Sequence, residues 1–136
     1  MRFDDILVGQ AASLQRIVTE SDVQRFAEVS GDYNPVHLDE EVATRSRFRG
    51  RIAHGMLSAS FISAALSTKL PGPNVIYLSQ SLRFLKPVRI GDTIAVHLEV
   101  LEITPEKRRL RLRTTCTNQH GQQVVEGEAV VLVPED

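Results

Sequence analysis

The spacing of hydrophobic residues changes once along this chain, just after Pro73. Before that point apolar residues recur every three or four positions, as on one face of a helix, and beyond it they alternate with polar residues, as in strands. The first helix is predicted over Thr19–Gly31, with Ser21 and Gln24 forming a capping box at its start. Glycine tolerates the left-handed backbone that ends a helix, so Gly31 is the expected stop.

Two more helices are predicted before the spacing changes. A short one covers Asp39–Arg45, where early acidic residues suit the positive end of the helix dipole. The other covers His54–Leu70 and is apolar or small almost all round, with no charged residue before Lys69. A helix without a polar face is expected to be buried on most of its sides. The prolines in Pro71–Pro73 end it, because proline cannot continue the hydrogen-bond ladder.

Five strands are predicted, one before the helices and four after them. They cover Ala12–Val18, Asn74–Val88, Asp92–Ile103, Lys107–Asn118 and Gln122–Val133, and turn signals in RIGD, TPE and HG separate the last four. A strand, then helices, then an antiparallel sheet make an α+β layout. The simplest packing wraps the sheet around the apolar helix.

Length and charge limit the classes of function. A chain of 136 residues is expected to form one domain over 1–136. With 16 basic and 17 acidic residues, nothing indicates a nucleic-acid partner. No stretch approaches the roughly 18 apolar residues of a membrane helix, so a soluble cytoplasmic protein without a membrane partner is expected. Cys116 has no second cysteine to pair with and is predicted to be buried and inert.

Candidate chemistry lies in the segment SGDYNPVHLDE at 30–40. Gly31 releases the chain from the helix, and Pro35 biases Asn34 toward an extended backbone. The turn that results can project Asp32 and His37 into one space. A carboxylate and an imidazole that titrates near neutral pH can together orient and deprotonate a water. The alternative is a structural loop, in which Asp32 satisfies backbone N–H groups.

Two motifs, together with this layout, resemble the hot-dog fold and within it the MaoC-like (R)-specific enoyl-CoA hydratases. They are SGDYNPVHLD at 30–39 and RIAHGMLSASFIS at 51–63, and the likeness continues through YLSQSLRFLKPVRIGDTI at 77–94 and GEAVV at 127–131. The resemblance implies one hot-dog domain and a homodimer with the active site at or near the subunit interface. It also implies an acyl-CoA thioester substrate and a catalytic pair of Asp32 and His37. Fold alone would not fix the function.

Hydration of a double bond conjugated to a thioester also needs a group that stabilises the enolate oxygen. Gly55 opens the apolar helix, so its backbone N–H is expected to lack a partner within the helix and to lie at the positive end of the dipole. Glycine also lets a substrate carbonyl approach closely. An oxyanion donor of this kind is worth about 3–4 kcal/mol in the barrier.

Three other residues receive supporting roles. Ser63 matches a serine that the family hydratases use as a hydrogen-bond partner near the carboxylate, although a helix hydroxyl that bonds to the preceding turn is the alternative. Asn34 is expected to fix the geometry of the turn. His54 is expected to cap the helix rather than line the pocket.

No metal and no other cofactor are predicted. Four scattered histidines and one cysteine do not form a metal-ligand spacing, and His97 and His120 are expected to be structural or exposed to solvent. Two basic stretches are candidates for the phosphates of coenzyme A, and ordinary surface charge is the alternative for both. They are TRSRFRGR, with Arg45, Arg47, Arg49 and Arg51, and KRRLRLR at 107–113.

The activity that the resemblance implies is the reversible hydration of trans-2-enoyl-CoA to (R)-3-hydroxyacyl-CoA. An acyl-CoA thioesterase, a 3-hydroxyacyl-ACP dehydratase and a non-catalytic subunit that binds acyl thioesters are the alternatives. The sequence does not decide the acyl length. Nor does it decide whether the pathway is polyester precursor supply, fatty-acid oxidation or lipid synthesis.

Overall fold

The computed structural model describes residues 1–135, which form one six-stranded antiparallel sheet and a set of helices. The helices are α1 (Glu20–Ser30), α2 (Pro35–Leu38), α3 (Glu40–Arg45) and α4 (Gly55–Thr68), with 3-10 turns at Phe3–Asp5 and Pro105–Lys107. The strands are β1 (Ala11–Ile17), β2 (Ile76–Gln80), β3 (Arg83–Phe84), β4 (Thr93–Thr104), β5 (Arg109–Thr117) and β6 (Gln123–Leu132). Their order is β1-β4-β5-β6-β2, and β3 also pairs with β6. The predicted α+β layout is confirmed. None of the described helices is long and apolar enough to cross a membrane.

The core lies between α4 and the concave face of the sheet. α4 contacts β1, β4, β5 and β6. Alternate residues of β4 point toward it and are fully buried, as the two-residue period of a strand requires. These are Ile94, Val96, Leu98 and Val100. Each such side chain stabilises the fold by about 1.5–3 kcal/mol relative to an exposed one. The predicted packing of the sheet on the helix is therefore confirmed.

One face of α4 remains exposed, although the sequence predicts burial on most sides. Its members are spaced by about one helical turn and are Met56, Ser60, Ser63 and Ser67. We call this row the exposed stripe of α4. The buried residues of the helix lie on the other sides and include Leu57, Ile62 and Leu66. The serines on the stripe explain why the sequence shows no charged face there.

The start of α1 differs from the prediction in the residues that cap it. The Thr19 hydroxyl accepts a hydrogen bond from the Asp22 N–H at 3.0 Å, and the Asp22 carboxylate accepts one from the Thr19 N–H at 3.1 Å. The capping box is therefore Thr19 with Asp22, and the predicted pairing of Ser21 with Gln24 is wrong because Ser21 already lies inside the helix. The predicted end is confirmed, since Gly31 has a φ of 79°.

The single strand predicted over Asn74–Val88 is divided into β2 and β3. Between them the Ser81 N–H donates to the Glu128 carbonyl at 2.9 Å, and the Glu128 N–H donates to the Ser81 hydroxyl at 3.0 Å. A Cβ at Gly127 would lie 1.8 Å from the Ser81 carbonyl oxygen. The chain can bend against β6 at this point only because position 127 is glycine.

Cys116 lies on the inner face of β5 and is fully buried. Burial raises the pKa of its thiol to about 12. A protonated thiol without access to solvent is a poor nucleophile. The predicted buried, inert cysteine is confirmed.

Candidate active site

The turn between α1 and α2 is held by two side chains that bond to the backbone ahead of them. The Asp32 carboxylate accepts a hydrogen bond from the Asn34 N–H at 3.2 Å, and the Asn34 amide oxygen accepts one from the Val36 N–H at 3.1 Å. Asn34 caps α2, and Pro35 occupies its first turn, where a missing N–H costs nothing. The sequence predicts a turn up to His37; the structure folds its last part into one turn of helix. Asn34 thus lies where it can fix the geometry of this segment.

His37 is buried in α2, with 8% of its surface exposed. Its Nδ1 lies 2.8 Å from the Ile52 carbonyl oxygen, which can only accept, so Nδ1 carries the proton. The lone pair of the neutral ring is therefore on Nε2. Burial lowers the pKa of His37, and the nearby Asp32 carboxylate and the Ile52 carbonyl only partly oppose this effect. A neutral imidazole with a fixed tautomer is suited to accept a proton at Nε2.

Arg51 positions the segment that carries His37. Its Nε donates to the His37 carbonyl oxygen at 2.7 Å, and its Nη1 donates to Glu20 at the start of α1 at 2.8 Å. The hydrogen bond from Arg51 lowers the pKa of the Glu20 carboxyl, which stays charged. Arg51, one of several candidates for the phosphates of coenzyme A, is therefore not free for that role, because its guanidinium is occupied within the fold.

His54 is a residue of the site that the sequence places elsewhere. Its side chain makes no capping hydrogen bond to α4, so the predicted capping role is wrong. Instead, the ring is 2% exposed, its Nε2 lies 3.0 Å from the Asp32 carbonyl oxygen, and it stacks on His37 with centroids 3.9 Å apart. Its Nδ1 is buried and has no hydrogen-bond partner within residues 1–135. His54 therefore joins the backbone of Asp32 to the ring of His37.

Asp32, His37 and His54 each offer one ligand atom within 4.8 Å of the others, so they are the group here that could meet a metal ion. Each ring has one nitrogen on a backbone carbonyl, and the ring planes are 30° apart. This leaves Nε2 of His37 and Nδ1 of His54 able to accept a proton. The same second-nitrogen contact is also found in histidines that bind metals, so the expectation of no metal stays a prediction.

These side chains line a cavity of about 780 Å³. This volume lies within the range of small-molecule sites, and most of the wall is apolar, as is usual for such sites. Ser58 also lines the cavity, is fully buried, and has no hydrogen-bond partner for its hydroxyl among the described residues. In the sequence it is one of several serines on a helix, and only the packing separates it from the others.

Gly55 is the first residue of α4 and lies in the wall of the same cavity. The first N–H groups of a helix have no acceptor within it, so this position can offer a donor to an oxyanion. The ring of Phe84 covers the α-carbon of Gly55. A Cβ there would lie 2.8 Å from two atoms of that ring. A side chain at position 55 would therefore require the exposed ring of Phe84, which the sequence does not single out, to move.

Ser63 lies on the exposed stripe of α4 and lines a second groove, together with Ser60, Tyr77 and Gln80. Asp32 belongs to the first cavity and not to this groove. The two spaces have Phe26 and Met56 in common. The predicted support of Asp32 by Ser63 stays a prediction.

Four of the nine basic residues in the two basic stretches form ion pairs. Arg45 pairs with Glu41 at 2.8 Å, and on the sheet Arg111 pairs with Glu128 and Arg113 with Glu99. Within TRSRFRGR, Arg47 lines the cavity. A lysine outside both stretches, Lys86, lines it as well.

A sheet curved around one long helix, with an acid and an imidazole beside the first turn of that helix, defines a hot-dog domain. The fold class expected from the resemblance is confirmed. The family model of the MaoC like domain matches residues 8–128, and the chain belongs to this family.

Known relatives agree over most of the chain. The (R)-specific enoyl-CoA hydratase of Rhodospirillum rubrum is 54% identical over 132 residues, which are 97% of this chain and 91% of the relative. The 3-hydroxybutyryl-CoA dehydratase of Methylorubrum extorquens is 51% identical and covers 97% and 83%. Among solved structures, the unliganded R-hydratase PhaJ1 of Pseudomonas aeruginosa superposes with a TM-score of 0.94 at 53% identity, over 98% of this chain and 86% of that one.

Proposed function

We propose that this protein is an enzyme that catalyses the reversible hydration of trans-2-enoyl-CoA to (R)-3-hydroxyacyl-CoA. The observation that carries the proposal is His37, whose neutral ring has a fixed tautomer beside Asp32 in a largely apolar cavity. Relatives named for the hydratase and for the dehydratase support it, since these names describe the same reaction in opposite directions.

In the proposed mechanism, Asp32 and Nε2 of His37 hold one water. One of them removes a proton as the water oxygen bonds to C3, and the electron pair of the double bond moves to the thioester oxygen as an enolate. The Gly55 N–H stabilises this oxygen. The proton then returns to C2 on the same face, so that one water adds across the double bond. General acid–base groups of this kind contribute about 10²–10⁴ in rate.

The test follows the ultraviolet absorbance of trans-2-butenoyl-CoA and the chirality of the product. We expect the wild type to remove the conjugated absorbance, to yield the (R) product and to leave the thioester intact. Asp32→Asn and His37→Gln should each lower kcat/KM by about 10²–10⁴. His97→Gln provides a matched control, because His97 is exposed and bonds only to Ser13 on the outer face of the sheet.

Release of free coenzyme A without hydration would show a thioesterase instead. Binding of the thioester without turnover would indicate a subunit that only binds. Equal activity of His37→Gln and the wild type would contradict the assigned roles of the pair.

We also propose a homodimer that forms through β2. This strand lies at one edge of the sheet, and its apolar residues Ile76, Tyr77 and Leu78 are 47%, 38% and 42% exposed. An apolar edge strand is a template for pairing with a second copy, and it lies beside the exposed stripe of α4. Because Ser63 and residues of β2 line the same groove, a dimer formed through β2 would place this groove next to the partner subunit. Sedimentation at micromolar concentration tests the dimer.

The proposal also includes three further properties. We propose a cytoplasmic location, which cell fractionation tests. We propose a role in polyester precursor supply, which the polyester yield of a producing cell tests. We propose a single domain over 1–136, which a single cooperative unfolding transition tests.

A further inference from the structure

Two cations line the cavity without an acidic partner. Arg47 and Lys86 are exposed, and neither makes an ion pair with any of residues 1–135. His37, His54 and Ser58 line the same cavity and are buried. The cations therefore lie on the outer part of the wall and the reacting groups on its inner part.

Three arginines near Arg47 are engaged within the fold, and a fourth, Arg49, makes no ion pair among residues 1–135 but does not line the cavity. Arg45 is paired with Glu41, and Arg51 with Glu20. Arg89 donates to the backbone carbonyls of Phe48 and Gly50. Each of these guanidinium groups is used within the fold. Arg47 has only a cation–π contact, with its guanidinium carbon 5.6 Å from the centre of the Phe48 ring. This contact leaves its N–H groups free to donate.

The charge pattern defines the kind of ligand that fits. Apolar walls near His37 suit an uncharged reacting end, and two unpaired cations farther out suit an anionic end. Guanidinium binds phosphate in a bidentate way, and a lysine ammonium contributes a mobile point charge. The ligand is thus long, with a neutral reacting group at one end and phosphate at the other.

We propose that Arg47 and Lys86 form a phosphate-binding subsite for the far end of the pantetheine arm of the thioester. This inference rests on the proposed function. Phosphate at that position belongs both to coenzyme A and to the phosphopantetheine of an acyl-carrier protein. The subsite therefore recognises the carrier rather than the acyl group.

The test compares one acyl group on three carriers. trans-2-Butenoyl thioesters of coenzyme A, phosphopantetheine and pantetheine are turned over by the wild type, Arg47→Ala, Lys86→Ala and the double variant. We expect each single variant to raise KM for the CoA thioester about threefold to tenfold, and the double variant to raise it further. KM for the pantetheine thioester, which has no phosphate, is expected to change less than twofold. For the CoA thioester, KM of the wild type should rise with salt, and KM of the double variant should rise less.

Arg45→Ala is the matched control, because it removes a nearby arginine that is already paired with Glu41. A higher KM with both phosphorylated carriers assigns the subsite to the phosphate that coenzyme A and the carrier protein share. A higher KM with coenzyme A alone would place the two cations at the phosphates of the nucleotide and would overturn a subsite at the end of the pantetheine arm. An equal change with all three carriers, or no change with coenzyme A, would overturn the proposal.

A separate binding measurement tests the subsite even if the protein does not catalyse the proposed reaction. If the wild type turns over none of the three thioesters, calorimetry with free coenzyme A still tests the subsite. Weaker binding to the double variant than to the wild type would support it, and equal binding would overturn it.

Discussion

Two spaces along the same helix are built from different kinds of contact. In the cavity at the start of α4, His37 and His54 are buried and each has one ring nitrogen on a backbone carbonyl. On the exposed stripe of α4, which borders the groove, the hydroxyl groups of Ser60 and Ser67 donate to carbonyls of α4 itself. The first arrangement fixes proton positions. In the second arrangement the serine hydroxyl groups already have hydrogen-bond acceptors within α4. A partner subunit can therefore cover this surface without leaving those hydroxyl groups unpaired.

Beyond the catalytic pair, the largest effect is expected from replacing Gly55 by alanine. The new Cβ would lie 2.8 Å from the ring of Phe84 and beside the N–H proposed to bind the oxyanion. Alanine keeps the N–H at this position, but its methyl group would hold the thioester oxygen away from it, so we expect Gly55→Ala to lower kcat by about 10²-fold, the effect of losing one oxyanion contact. Stopped-flow hydration of trans-2-butenoyl-CoA measures it.

A second variant separates packing from chemistry at this position. Gly55→Ala combined with Phe84→Leu removes the clash and keeps the alanine. Recovery of kcat in the double variant would mean that glycine is needed only because Phe84 covers it. Continued loss would show that the methyl group itself keeps the thioester oxygen from the N–H of residue 55, as the oxyanion role requires.

The next effect concerns the groove and the partner that we propose for it. Leu78→Glu places a charge on the exposed apolar edge of β2, so a dimer through this strand would bury an unpaired carboxylate. We expect its dissociation constant to rise about tenfold to a hundredfold. Sedimentation velocity over a dilution series measures this. Val29→Glu, on the highly exposed side of α1, is the control, and equal dissociation of both variants would contradict an interface at β2.

The pH dependence of kcat/KM should follow the protonation of His37 in the cavity. Burial lowers the pKa of His37 below its ordinary value of 6.5, so the ring stays neutral at physiological pH. We expect kcat/KM to be flat near neutral pH and to fall on the acid side, below 6.5, by about tenfold per pH unit. A fall that begins at or above neutral pH would contradict this assignment.

The same shift affects stability. Between the lowered pKa of His37 and its unfolded value, the unfolded chain binds more protons than the folded one. The free energy of unfolding should therefore decrease as the pH falls below about 6.5. His37→Gln should weaken this decrease, and urea unfolding at several pH values measures it.

The smallest effect compares two serines of α4. Ser58 is buried in the cavity with an unpaired hydroxyl, and Ser63 lies in the groove. We expect the free Ser58 hydroxyl to form one hydrogen bond with the bound thioester, so Ser58→Ala should lower kcat/KM about twofold to fivefold. A smaller loss is expected for Ser63→Ala. A larger loss at Ser63 than at Ser58 would instead support the predicted contact between Ser63 and Asp32. Ser60→Ala is the control.

Much of the site follows from local sequence signals. Gly31, Asn34 and Pro35 act through the conformations and hydrogen bonds of their own neighbours, so the turn that carries Asp32 and His37 can be predicted. Arg51 and Phe84 act on residues 14 and 29 positions away, at His37 and Gly55. Such contacts leave no local pattern. The sequence therefore offers only a phosphate contact or ordinary surface charge for Arg51, and it assigns no role to Phe84.

The break between β2 and β3 has the same origin. The residues from 74 to 88 alternate as one strand would, and nothing near Ser81 signals an end. The cause lies at Gly127, more than forty residues later, where the absence of a side chain lets the Ser81 carbonyl approach.

The sequence by itself determined the elements, the α+β order and the turn with its acid and imidazole, because spacing and turn chemistry act over a few residues. Only the tertiary structure decided that His54 stacks on His37 rather than capping α4, that Ser58 and not Ser60 lines the cavity, and that Arg47 and Lys86 remain unpaired beside it. These outcomes depend on which distant groups compete for the same space and the same hydrogen bonds, and that competition exists only after the sheet has closed on the helix.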